Sequence, residues 1–213
     1  MSGLAQRERQ ALCDLFEEVG PAAPTLCSPW TTADLAAHLV IRDRRPDLSP
    51  GIWVPFLTGR TEAGMAEYAA KPWPELVGLV RSGPPRWSPV SLGPVDEAVN
   101  LMEFYIHHED VLRGRATGPQ RTVPDDLERA IWGTLRRLGP VLFRRARAGA
   151  VLVAPGYGRV TARRETGPGT VTITGHPSEL ALVAYGRSRA AEVDVAGRPE
   201  AVDAVLGREL GLG

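Results

Sequence analysis

The hydrophobic period of the chain changes once, near Gly149, and this limits the fold more than any other feature of the sequence. Before that point apolar residues recur at helical spacing. Leu4, Ala11, Leu12, Leu15, Phe16 and Val19 mark a first helix, stopped by Gly20-Pro21. Thr31-Thr32-Ala33-Asp34 has the form of a capping box and opens a second helix, ended at Pro46. A third helical stretch runs from about Thr58 to Arg81 with interruptions near Pro72 and Pro74, and Ser82-Gly83-Pro84-Pro85 breaks the chain. Pro94-Val95-Asp96-Glu97 places a proline and two acids in the first turn of the next helix, which reaches about Arg113. A last helix begins near Pro124, and Pro140 is expected to kink or end it.

After Gly149 the apolar runs shorten. Ala150–Val153, Gly158–Ala162 and Thr170–Thr174 read as strands punctuated by Gly and Pro. A helix from Ser178 to about Tyr185, a strand at Glu192–Val195 and a closing helix from Glu200 to Leu210 complete a β-β-β-α-β-α order. The expected class is α+β in two parts: a helical bundle over residues 1–147 and a small α+β domain over 148–213.

Composition narrows the function. Forty-three per cent of the 213 residues are apolar and 23 per cent charged, enough to bury a core. Twenty-five basic residues balance 25 acidic ones, which argues against nucleic acid or an anionic membrane as the main partner. No apolar run approaches the roughly 20 residues of a membrane span, and residues 1–10 lack the apolar centre of a signal peptide. The cytoplasm is the expected compartment, with Cys13 and Cys27 as thiols.

The candidate chemistry lies on two helices. The four histidines are His38, His107, His108 and His176. His38 lies between Leu35 and Leu39 on the apolar stripe of the second helix. Glu103 and His107, four apart, leave one helix face together with Val95, Val99, Met102 and Ile106. An imidazole and a carboxylate in an apolar stripe are costly to bury unless they are paired or bound to a metal. Bundles build metal sites from such inward-facing side chains, and two His with one Glu leave a coordination position open, as catalytic zinc sites do. A buried hydrogen-bonded pair satisfies the same spacing without a metal. Asp34, four residues before His38, reads as a helix cap or as a neighbour of that histidine. His108 points about 100° away from His107 and reads as an outer neighbour of the site. His176, just before Pro177, is expected to be exposed.

These residues carry a resemblance. Leu26-Cys27-Ser28-Pro29-Trp30-Thr31-Thr32-Ala33-Asp34-Leu35-Ala36-Ala37-His38-Leu39 resembles the first metal-ligand segment of the mycothiol-dependent maleylpyruvate isomerase family, within the DinB-like bundle group. Asn100 to Val111, with Glu103-x-x-x-His107, is similar to the second. The stretch from Val171 to Gly186-Arg187 is similar to that family's small C-terminal domain, which has a sterol-carrier-like fold. The sequence is most like an actinobacterial subgroup described as metal-binding proteins, through His38–Asp47, Gly83–Pro89 and His107–Val111.

The resemblance implies a DinB-like four-helix bundle and a divalent metal, usually zinc, on His38, Glu103 and His107. It implies mycothiol as cosubstrate, the metal activating the thiol for attack on an electrophilic small molecule. It also implies that an arginine of the C-terminal domain reaches the active site, for which Arg187 is the matching position. Arg42, one turn after His38, is a candidate to meet a substrate carboxylate; its alternative is an ion pair with Asp43 or Asp47. The five tryptophans, Trp30, Trp53, Trp73, Trp87 and Trp132, read mainly as core. Cys13 reads as a buried small residue, and Cys27 as a residue close to the site. Three functions stay open: a metal-dependent thiol transferase or isomerase, a non-catalytic metal-binding or thiol-sensing module, and a bundle that has lost its metal.

Overall fold

In the computed structural model, residues 3–48, 58–85, 94–115, 121–207 and 210 are described, with backbone alone at 58 and 94–99. Trp53 and Trp87, and the side chains of Val95 and Val99, lie outside the described residues. The chain divides into two compact units, residues 1–120 and 121–213.

The first unit carries helices α1 (Leu4–Val19), α2 (Thr32–Arg44), α3 (Thr58–Ala69), α4 (Trp73–Ser82) and α5 (Pro94–Arg113). Gly20 ends α1 at a φ of +76°, a conformation that disfavours a side chain. Thr31 and Asp34 form a reciprocal capping box at the start of α2. The expected interruption of the third stretch divides it into α3 and α4. Pro72 stands at the N-cap of α4 and Pro74 in its first turn, where a missing N–H costs nothing.

One core unites four of these helices. Leu12 and Phe16 from α1, Leu35 and Leu39 from α2, Leu76 and Val80 from α4, and Phe104 and Val111 from α5 pack together. Each such side chain stabilises by about 1.5–3 kcal/mol on burial. Trp73 stands edge-on to Phe16, and Trp30 packs against the same core. Helix α2 is buried from Leu35 to Ile41, His38 included. Its polar residues are therefore held inside the unit and need partners there.

The second unit begins with α6 (Asp125–Leu142), followed by β1 (Gly149–Ala154), β2 (Gly158–Arg163), β3 (Thr170–Thr174), α7 (Pro177–Ala184), β4 (Asp194–Ala196) and α8 (Pro199–Leu206). The predicted order after Gly149 is observed. The strands form one mixed sheet in the order β2-β1-β3-β4, with β1 parallel to β3 and the outer pairs antiparallel. Strand β1 is central and almost wholly buried, whereas β3 alternates, with Val171 and Ile173 inward. Pro140 stands inside the last turn of α6, which ends two residues later at Leu142.

The two compact units divide at 120/121, so α6 opens the second. Helix α6 packs on α7 and β2 and so counts with the sheet. Its buried Glu128 accepts from both the backbone N–H and the hydroxyl of Ser178, at 2.8 and 2.7 Å, and so caps the first turn of α7. No helix among the described residues is long and apolar enough to cross a membrane.

Candidate functional site

The middle of α2 and the middle two turns of α5 bring His38, Glu103 and His107 together. Glu103 Oε1 lies 3.1 Å from His38 Nε2 and 3.2 Å from His107 Nε2. The two imidazole rings are 5.3 Å apart, and Trp30 covers His38 at the same centroid distance. One donor atom from each of the three residues falls within 4.8 Å of the others. All three side chains are mostly withdrawn from solvent.

The electrostatics of the trio are divided unequally. Burial alone would push the Glu103 carboxyl up, but hydrogen bonds from His107 and His38 and the charge of Arg42 hold it well below the carboxylate range. Burial lowers His38, and its contact with Glu103 offsets this only in part. Burial also works against the cation at His107, yet hydrogen bonds with Asp110, Cys27 and Glu103 raise it well above the ordinary histidine value. The protein alone therefore favours an ionised Glu103, a neutral His38 and a protonated His107.

The donor set suits zinc. Ligand bonds of about 2.0–2.2 Å at a tetrahedral angle put neighbouring donor atoms about 3.4 Å apart. The two Glu–His separations are within a few tenths of an ångström of that edge. Three protein donors leave a fourth position for a small molecule.

Arg42 faces this trio and makes the expected ion pair with Asp43. Its Nε lies 3.5 Å from Glu103 Oε1, and Nη1 donates to Asn100 at 2.6 Å and approaches Asp43 at 3.2 Å. The guanidinium thus neutralises Glu103 while tied to α5. Asp47 pairs instead with Arg45.

Two expected outer residues are employed elsewhere. Asp34 Oδ2 accepts from the backbone and hydroxyl of Thr31, at 2.9 and 2.6 Å, so its carboxylate serves the α2 cap. His108 turns to α1, where its Nδ1 lies 3.6 Å from Glu8 Oε2. Arg187, in the second unit, donates to the carbonyl of Tyr185 at 2.6 Å. His176 is exposed, as expected. Cys13 is fully buried, which pushes its thiol up to about 12.

Sequence reasoning missed Asp110, whose Oδ2 lies 2.9 Å from His107 Nδ1. The signal was present, because His107 and Asp110 are three apart on one helix and so share a face. Cys27, read from the sequence as close to the site, reaches it through Asp110. Its Sγ lies 3.0 Å from Asp110 Oδ2 across a separation of 83 residues. The loop before α2 delivers it. Leu26 donates its N–H to the carbonyl of Asp110, and the Thr25 hydroxyl donates to the carbonyl of Trp30. Gly114 permits the approach, since a Cβ there would come within 2.5 Å of Thr25 Cα and 2.6 Å of the Pro24 carbonyl.

No family model matches the chain, and no curated protein is a significant sequence match. Solved structures do match. A crystal structure of the mycothiol-dependent maleylpyruvate isomerase aligns over 92% of both chains with a TM-score of 0.61 at 16% identity. A variant of that enzyme with one histidine replaced by alanine aligns over the same share with a TM-score of 0.63. The chain has the fold of that isomerase. The fold resemblance read from the sequence is thereby met, and it extends through both units.

Proposed function

We propose that the chain binds a divalent metal, zinc first, through His38, Glu103 and His107, and acts as a thiol-dependent transferase or isomerase. The cosubstrate is a low-molecular-weight thiol of the mycothiol kind, and the substrate an electrophilic small molecule. One observation carries the reading: His38 converges with Glu103, 65 residues further along the chain, and with the imidazole of His107 at a spacing that a metal could use. The shared fold with a thiol-dependent isomerase supports it.

Zinc bound there would deprotonate a coordinated thiol, which is mostly protonated when free at neutral pH because its pKa is near 8.5. The protein's own groups are poised for this. Glu103 is ionised and His38 neutral, as ligands must be. Arg42 offsets part of the charge on Glu103, and Trp30 shields one face of His38.

The test is turnover. Zinc-loaded protein incubated with mycothiol and a panel of activated alkenes and alkyl electrophiles is expected to consume substrate only when thiol is present. The His38→Ala chain is expected to lose that turnover. Metal uptake with no thiol-dependent reaction across the panel would instead support a metal-binding or thiol-sensing module.

Metal affinity is expected to climb with pH. His107 is held protonated above its ordinary range, so binding at Nε2 must displace a proton. Apparent affinity therefore grows by about tenfold per pH unit for that proton, and levels off above the raised histidine value. Competition titrations against a chelator across a pH series check this; a flat profile would contradict it.

A further inference from the structure

We propose that Asp110 and Cys27 form a second layer behind His107 that fixes which ring nitrogen faces Glu103 and His38. The inference rests on the metal-binding reading above. The two nitrogens of His107 face different groups: Nε2 lies 3.2 Å from Glu103 and Nδ1 2.9 Å from Asp110. A carboxylate is an acceptor only, so Nδ1 carries the proton of that bond. Nε2 is then the nitrogen that gives up its proton and presents its lone pair when a metal binds. Partners of this kind set ring orientation and raise ligand basicity.

Asp110 is fully buried at the end of α5, so its orientation is set by packing. The thiol of Cys27 donates to the same Oδ2 at 3.0 Å. Thus a single carboxylate oxygen receives two donors, one from α5 and one from the loop before α2. The loop is held against α5 by the Leu26 to Asp110 backbone bond and by Gly114. The chain region that precedes His38 therefore also steadies His107.

Cys27, His107 and Asp110 have donor atoms close enough together to be taken for a metal group themselves. Distance argues for the hydrogen-bonded layer. A tetrahedral ion with sulfur at about 2.3 Å and oxygen at about 2.1 Å keeps those two atoms about 3.6 Å apart. The observed 3.0 Å is a thiol hydrogen bond.

Cobalt(II) titration of the full chain, read by absorption and by competition with zinc, tests the assignment. The wild-type protein is expected to show ligand-field bands without a thiolate-to-cobalt charge-transfer band. Asp110→Ala is expected to weaken binding by 10–100-fold with an unchanged far-ultraviolet circular dichroism spectrum. Asp110→Asn keeps a neutral acceptor for Nδ1–H and should lose less; it also carries the test if the alanine variant does not fold. Cys27→Ala removes one of the two donors to Asp110 Oδ2. It is expected to weaken binding by less than Asp110→Ala while keeping the ligand-field bands; wild-type affinity in Cys27→Ala would remove Cys27 from the layer. Wild-type affinity in both Asp110 variants would overturn the proposal. So would a charge-transfer band that disappears in Cys27→Ala, since Cys27 would then be a ligand. A wild-type chain that takes up neither ion overturns the metal-binding reading itself, and this layer with it.

Discussion

Glu103→Gln is expected to lose zinc affinity by at least about 100-fold, more than outer-layer partners cost. Glu103 Oε1 is the one atom that both Nε2 atoms face. Glutamine fills the same volume, so the core around Phe104 and Met102 is retained. What disappears is the anionic oxygen proposed as a ligand, and the charge that Arg42 answers. Asp34→Asn is the control. That carboxylate closes a helix cap with Thr31, so the change costs about 1 kcal/mol of stability or less and leaves zinc content unchanged. Elemental analysis of purified wild-type protein and of the His38→Ala, Glu103→Gln and Asp34→Asn chains measures the ranking. Greater loss in Asp34→Asn would mean the wrong carboxylate had been chosen. Equally little metal in wild type and variants would end the metal-binding reading.

Asp43→Ala is expected to destabilise the first unit by about 3–5 kcal/mol, the range for removing one member of a buried ion pair. Asp43 on α2 accepts from Arg9 on α1, and both side chains are almost fully buried. Arg9 also donates to the carbonyl of Val80 on α4 and lies over the ring of Phe104 on α5, 4.1 Å from its centroid. One guanidinium thus ties four helices, and alanine at 43 leaves its charge without a carboxylate. Arg42, on the Glu103 side, loses its contact with Asp43 at the same time. Urea denaturation gives the free energy, and thermal unfolding should shift down by roughly 6–20 °C. A cost below about 1 kcal/mol would show that water or a rearranged partner compensates Arg9. Replacing both residues with apolar ones of similar size should cost less than the single change.

The elements were legible wherever local chemistry decides them. Proline and glycine punctuate α1, α4 and α5 at positions read directly from the chain, and the Thr31–Asp34 cap appears as written. The β-β-β-α-β-α order followed from alternation and turn residues. Which elements α6 packs against was not legible. The stripe of α6 has the same period whether it packs on helices or on a sheet, and only the observed neighbours distinguish the two. Trp30 read as core, yet it also covers His38.

By itself the sequence determined that a histidine on one helix and a glutamate–histidine pair on another would be buried, because their neighbours are apolar at the same period. Tertiary structure alone decided that the two helix faces meet, that Arg42 answers Glu103, and that a thiol far away in the chain reaches Asp110. The reason is geometric. Periodicity is a property of a single helix and specifies which side is inward. Which inward groups touch depends on crossing angle and helix register, and these are set by the packing of every side chain in the core at once.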